Sequence, residues 1–250
     1  MKVRSIVPLA ALLLAACVST EPKGPETSPE DAAKVNLQLG AQYLQRGDLA
    51  LARDKLKKAV DLDPKLIGAQ LTLALVYERA GEPDMAYKHY REAVRLAPDD
   101  ANVLNSYGGY LCRRDEREEG LTYFEKAAKT PFYRNPQTAW SNAGVCARGI
   151  PDAERAEAFF RLALAKDPRY PEALLQMADL SLANGNALAS RAFLQRYEAV
   201  APWGPDSLWL AVRVEQTLGD RGAASDYARR LRAEYPESRE ARLLESGGGR

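Results

Sequence analysis

The sequence predicts an all-α fold in which helical hairpins stack along one axis. Proline returns at a nearly fixed interval, with gaps of 34, 70, 34 and 34 residues, at Pro64, Pro98, Pro168, Pro202 and Pro236. Alanine keeps the same interval, five residues before each proline or before the place where one is expected, at Ala59, Ala93, Ala127 and Ala163. No run of alternating β-branched residues indicates a sheet.

A second set of small residues marks the predicted turn inside each hairpin. Glycine holds this place at Gly47, Gly81, Gly185 and Gly219. A 34-residue helix–turn–helix unit resembles the tetratricopeptide repeat. The first unit fills the positions of that family with Leu39, Gly40, Tyr43, Ala52, Leu56, Ala59 and Pro64, whereas Gly120 replaces the usual alanine in the third unit. The resemblance implies six repeats from Ala33 to about Ser238, which must stack because one pair of helices cannot bury its own apolar face.

The N-terminus predicts a lipoprotein signal peptide. Lys2 and Arg4 precede an apolar stretch of eleven residues, 6–16, which is too short to span a bilayer. The phrase Leu14-Ala15-Ala16-Cys17 resembles the bacterial lipobox, in which cleavage leaves the cysteine first and its sulfur carries lipid. An ordinary signal peptide with an incidental cysteine is the alternative. Val18 replaces the aspartate that is common in lipoproteins retained at the inner membrane, so the resemblance implies the periplasmic face of the outer membrane.

Composition divides the remaining chain into a tether, a repeat domain and a tail. Residues 17–29 contain the lipidated Cys17 and a proline-rich stretch that buries too little apolar surface to fold. Ser28, followed by Pro29 and two acidic residues, predicts the start of a helix. The repeat domain is expected over 30–245, with a short closing helix at its end, and a mobile tail over 246–250.

Cys112 and Cys146 are expected on the first helices of repeats three and four, which are neighbours in a stacked solenoid. The envelope is oxidising, which favours a disulfide between them. The alternative is two free, partly buried thiols. A metal site is not expected, because two thiols and one distant histidine, His89, do not supply four ligands.

The first helix of each repeat is expected to line a concave groove. By resemblance to the family, its second, fifth, ninth and twelfth positions face inward. The predicted partner-binding residues in repeats one to three are Leu37, Ala41, Leu44, Leu71, Leu75, Asn102 and Asn105. In repeat four the inward positions are Ser141, Val145 and Arg148. Apolar and amide groups together suit an extended or helical polypeptide segment. The alternative for the leucines is packing between repeats.

Composition and motifs exclude several other classes of function. After removal of residues 1–16 the chain carries 33 basic and 34 acidic groups, so no strong field is present to attract nucleic acid. Neither a glycine-rich phosphate loop nor a serine elbow is present. Glu118 and Glu119 are adjacent and would point apart on a helix. We expect no catalysis, no cofactor and no small-molecule substrate.

The central segment supports a narrower resemblance. Asn102, Asn105, Tyr107-Gly108 and Cys112 are followed by Pro131 with Tyr133 and then by the phrase Asn142-Ala143-Gly144 with Cys146. This order is similar to the PilF/PilW family of type IV pilus biogenesis lipoproteins. The resemblance implies a pilotin, which binds secretin subunits and promotes their outer-membrane localisation and assembly. A lipoprotein of the same fold that regulates cell-wall enzymes is the alternative.

Overall fold

The predicted all-α fold of stacked hairpins is confirmed by a computed structural model. It describes residues 28–151 and 153–246, which form thirteen α-helices and no strand. The helices are α1 (Pro29–Gln45), α2 (Leu49–Leu62), α3 (Ile67–Arg79), α4 (Pro83–Leu96), α5 (Ala101–Arg113), α6 (Arg117–Lys129), α7 (Pro136–Ala147), α8 (Ala153–Lys166), α9 (Pro171–Ala183), α10 (Ala187–Glu198), α11 (Pro205–Leu218), α12 (Arg221–Glu234) and α13 (Arg239–Glu245). The predicted signal peptide, Cys17, the predicted tether up to residue 27 and the predicted tail from residue 247 lie outside the described residues.

The helices pair in chain order into six hairpins, from α1 with α2 to α11 with α12. Each first helix also contacts the second helix of the preceding hairpin, and α13 packs against both α11 and α12. Ser28 caps α1 by accepting a hydrogen bond from the backbone N–H of Asp31, as its sequence predicts. Within the stack, proline occupies the first turn of several helices, including α4, α7, α9 and α11, where its missing N–H costs no hydrogen bond.

The turns within the hairpins repeat one backbone geometry. The four predicted turn glycines all adopt a positive φ, between 75° and 82°. Asp115 takes this place in the third hairpin with a φ of 69°. In each of these five turns the next residue donates its N–H to a carbonyl five residues earlier, as Glu82 does to Tyr77. Because this bond closes the C-terminus of the first helix, the turn fixes how the second helix folds back.

Small residues allow the helices to approach closely. The four alanines of the 34-residue pattern are all fully buried, with 0% exposure for Ala59, Ala93, Ala127 and Ala163. Large side chains such as Leu56, Phe124 and Phe160 fill the space beside them. The buried residues form three successive clusters along the chain, and partly buried side chains such as Tyr123 and Phe193 each pack against two of them. The core is therefore one apolar column that runs through the stack.

None of the described helices is long and apolar enough to cross a bilayer.

Two helical glycines differ in how much space the stacked helices leave for a Cβ. A Cβ on Gly144 would lie 2.5 to 2.8 Å from the ring of Phe160, which is fully buried. A Cβ on Gly109 would meet only the flexible tip of Arg113 at 3.2 Å and Phe124 at 3.9 Å. We expect Gly144→Ala to lower the free energy of unfolding by about 1–3 kcal/mol through overpacking. Gly109→Ala is the matched control, with a gain of up to about 1 kcal/mol from helix propensity.

Urea unfolding followed by circular dichroism at 222 nm measures both changes. Equal unfolding midpoints for the two variants would contradict this account of the packing.

Candidate binding groove

The first helices α3, α5 and α7 form one side of a cavity of about 420 Å³. Leu75 and Val145 supply apolar surface at its two ends, and Asn105, Ser106 and Asn142 supply polar groups between them. Side chains from second helices, including Phe124, close the base of the cavity. We call this cavity the first cavity, and the surface that the first helices share the inner groove.

Two amide side chains form a bridge across adjacent repeats. The Nδ2 of Asn142 donates a hydrogen bond of 3.1 Å to the Oδ1 of Asn105. Both side chains are half-buried, and an amide has two donors and an acceptor with two lone pairs. The pair therefore keeps a donor and an acceptor for a ligand after its own bond is made.

A disulfide between Cys112 and Cys146 forms part of the lining. Their Cα atoms lie 5.7 Å apart, within the range for an unstrained bridge. Cys146 is buried at 4% exposure, and Cys112 is half-buried. The bridge joins α5 to α7 near the amide pair, so it limits the relative movement of these helices.

The sulfur of Cys112 explains the unusual Gly120. A Cβ at that position would lie 2.5 Å from the Cys112 Sγ and 2.9 Å from the backbone oxygen of Gly108. The alanine that other repeats carry there does not fit. Gly120 thus provides the space that the disulfide occupies.

Two guanidinium groups flank the first cavity, and each has an acidic partner. Arg113 forms a two-point ion pair with Glu78, in which Nη2 donates to Oε2 at 3.0 Å. Arg117 donates from Nε to Asp115 at 2.7 Å, and its Nη1 lies 3.4 Å from the carbonyl oxygen of Cys146. The cavity therefore carries little net charge.

Two side chains that line the first cavity, Arg113 and Tyr90, keep their charge state near neutral pH. The hydrogen bond to Glu78 raises the pKa of Arg113, so that side chain stays cationic. Burial raises the pKa of Tyr90, with a further contribution from Glu78, so its phenol stays neutral. This arrangement supports polar recognition, and neither group would switch its charge near pH 7.

The sole histidine, His89, lies away from the first cavity. Its ring stacks on Tyr77 with centroids 5.4 Å apart, and its Nδ1 lies 2.7 Å from the Oε1 of Gln70. Burial lowers its pKa. No cluster of three or more potential metal ligands occurs among the residues that the structure describes.

Comparison with known proteins agrees with this geometry. The tetratricopeptide repeat family matches residues 69–202. The type IV pilus assembly protein PilF of Pseudomonas aeruginosa is 30% identical over 239 residues, which cover 94% of this chain and 95% of that protein. The chain belongs to the PilF/PilW family of type IV pilus biogenesis proteins.

Two solved structures show the same fold. The structure reported for the functional characterisation of Pseudomonas aeruginosa PilF matches with a TM-score of 0.72 and 28% identity, and the match covers 88% of this chain and 99% of that one. The crystal structure of PilW, described as a widely conserved type IV pilus biogenesis factor, matches with a TM-score of 0.74 and 29% identity over 85% of this chain and 97% of that one. The predicted tetratricopeptide superhelix is thus confirmed, and this PilF/PilW-family protein is a repeat scaffold of the protein-interaction type.

The structure brings only two of the seven predicted groove residues into the first cavity, Leu75 and Asn105. Leu37, Ala41 and Leu71 are half-buried in repeats one and two, and Leu37 packs onto Gly68 of the next repeat. Packing between repeats therefore describes Leu37 better than a place in the lining of the groove.

Leu44 and Asn102 both lie outside the first cavity. Leu44 is only 7% exposed and joins the core cluster that contains Leu56 and Leu73. Asn102 is exposed and lines a separate depression beside the loop that contains Phe132 and Tyr133.

Sequence reasoning missed Asn142 as a groove residue. Of the inward positions expected in repeat four, Val145 lines the first cavity, whereas Ser141 is buried at 3% exposure. Its neighbour Asn142 faces the first cavity instead. The sequence signal that could have identified it is the phrase that resembles the PilF/PilW family, which begins at Asn142.

The disulfide is expected to stabilise the fold. It closes a loop with a sequence separation of 34 residues, for which the chain-entropy relation gives about 3–4 kcal/mol. Reduction with dithiothreitol should lower the urea midpoint of the native protein. A Cys112→Ala/Cys146→Ala variant serves as the control, because the reductant should leave its midpoint unchanged. A native midpoint that does not respond to complete reduction would contradict this prediction.

Proposed function

We propose that this protein is a lipid-anchored pilotin that binds secretin subunits in its inner groove and promotes their outer-membrane localisation and multimerisation. The pairing of Asn142 with Asn105, between the apolar side chains Leu75 and Val145, is the observation that carries the proposal. Membership of the PilF/PilW family supports its place in type IV pilus biogenesis.

The amide pair suits the backbone of a polypeptide. A peptide group offers one N–H donor and one C=O acceptor, which complement the unused groups of Asn105 and Asn142. Each such bond is worth about 0.5–1.5 kcal/mol net. Because the donors and acceptors belong to the backbone of the partner, this contact does not depend on the partner's side chains.

Apolar contacts add affinity beside the amides. Val145 is 50% exposed, although its helix is otherwise largely buried. Burial of apolar surface contributes roughly 25 cal/mol per Å². A partner segment that lays an apolar side chain on Val145 and another on Leu75 would therefore use both ends of the first cavity.

The disulfide lowers the cost of binding. Side chains that must be ordered on association cost about 0.5–1.5 kcal/mol each. Cys112 and Cys146 hold α5 and α7 in register, and the bond between Asn142 and Asn105 orders the amides before a ligand arrives. The first cavity is thus preorganised for binding.

Lipidation at Cys17 would place this groove next to the membrane. Cys17 lies outside the described residues, and the first helix begins at Pro29. The eleven residues from Val18 to Ser28 span at most about 36–40 Å when fully extended. A lipid on Cys17 would therefore keep the start of the repeat domain within this distance of the bilayer surface. The same anchor would direct the bound secretin to the outer membrane.

A charge placed in the first cavity should disrupt assembly of the secretin. Val145→Glu introduces a carboxylate that must lose water when an apolar segment binds, so secretin multimers in outer-membrane fractions should fall at least severalfold on gels. Val35→Glu is a matched control, because Val35 is also 50% exposed but lies on α1 away from the cavity.

The amide pair is tested by Asn105→Asp, which replaces the donor group of Asn105 with a second acceptor. We expect the same direction of effect in the multimer assay, with an unchanged melting temperature. Multimer levels that match the native protein in both cavity variants would reject the assignment of the groove.

The lipid anchor is tested separately. Cells grown with radiolabelled palmitate should label the native protein and the Cys112→Ala/Cys146→Ala variant but not Cys17→Ser. The Cys17→Ser protein should also leave the outer-membrane fraction. Equal labelling of Cys17→Ser and the native protein would overturn the proposed anchor without affecting the groove.

A further inference from the structure

The inner groove contains a second cavity at its C-terminal end. It has a volume of about 230 Å³ and lies between α9, α11 and α13. Leu175, Trp209 and Leu210 provide its apolar surface. Leu175 and Trp209 are half-buried and pack on the core of the last repeats, so part of each side chain remains available to a ligand.

Arg148 follows α7 and reaches two residues that line the second cavity. Its Nη1 donates to the Oε1 of Gln176 at 2.6 Å, and its Nη2 donates to the Oδ2 of Asp179 at 2.5 Å. Arg213 approaches the other oxygen of Asp179 at 3.7 Å. Asp179 is thus shared by two guanidinium groups, one that follows α7 and one on α11.

The lining of the second cavity also contains two acidic side chains. Asp206 and Glu240 both line the cavity; Asp206 is exposed and Glu240 is half-buried. One oxygen of Asp206 accepts a hydrogen bond of 2.9 Å from the backbone N–H of Ser207, which leaves the other for a ligand. Because the arginines are engaged with Asp179, the unshared charge beside the apolar surface is negative.

We propose that the second cavity binds a polypeptide segment in which one large apolar side chain is flanked by lysine or arginine. The volume is below the range of about 300–1,000 Å³ that small-molecule sites occupy, and it suits a single side-chain anchor. Tryptophan is enriched among the residues that dominate binding energy at interfaces, and its ring face attracts cations. Asp206 and Glu240 are placed to pair with basic groups on either side of the anchor.

This site does not depend on the proposed secretin function. The first cavity recognises peptide backbone and carries little charge, whereas the second cavity selects for an apolar side chain and positive charge. The two cavities can therefore hold two parts of one partner or two different partners, and each can be tested alone.

Fluorine NMR of the full-length chain in detergent micelles provides a direct test. Incorporation of 5-fluorotryptophan labels Trp140, Trp203 and Trp209, of which the first two are buried at 6% and 8% exposure. The probes are three capped heptapeptides: Gly-Ser-Lys-Phe-Lys-Ser-Gly, the same peptide with both lysines replaced by glutamate, and the same peptide with Phe replaced by Ser.

We expect only the lysine peptide with its apolar centre to shift the Trp209 resonance in a saturable way. Glu240→Lys should weaken its binding about fivefold or more, since it replaces an attraction with a repulsion. Glu245→Lys is the control, with the same change of charge on the same helix but outside the cavity. Trp209→Ala should weaken binding at least about tenfold, as measured by calorimetry.

Each other result overturns the proposal. Equal binding of the glutamate peptide would show that charge does not select the ligand. Equal binding of the peptide with serine in place of phenylalanine would show a charge contact without an apolar anchor. An unmoved Trp209 resonance at millimolar peptide, with the native melting temperature retained, would show that the cavity is not a peptide site.

Discussion

Close approach between helices at small residues is the constraint on which this structure depends. Each hairpin places an alanine or glycine where the two helices cross, and a large apolar side chain fills the neighbouring space. Gly144 beside Phe160 and Gly120 beside Cys112 are clear examples, since neither site has room for a Cβ. The resulting column of core residues fixes the position of each repeat relative to the next. This relative position determines which side chains meet in the inner groove.

The predictable part of the fold is the part that recurs within one repeat. The turn glycines were predicted from their spacing, and their positive φ values follow from the backbone bond that closes each first helix. Asp115 adopts the same geometry without being glycine, because the hydrogen bond from Glu116 to Leu111 holds the turn. Such local rules can be applied to one hairpin at a time.

The contents of the groove were less predictable because they depend on how one repeat is rotated against the next. Leu75 and Asn105 line the first cavity, whereas Leu44 is part of the core. In repeat four Asn142 lines the first cavity and its neighbour Ser141 is buried, a difference of one position that spacing alone does not settle. The sulfur of Cys112 likewise explains Gly120 only after the two helices are packed.

Site-specific photo-crosslinking in cells can show whether the inner groove holds a secretin segment. A photoreactive amino acid at position 145 reports on the first cavity, and the same residue at position 162 on α8, where Leu162 is 42% exposed, reports on a surface outside that cavity. Irradiation of whole cells followed by mass spectrometry identifies the captured peptides. We expect secretin peptides attached at position 145 and not at position 162. Secretin captured equally at both positions, or only at position 162, would contradict this expectation.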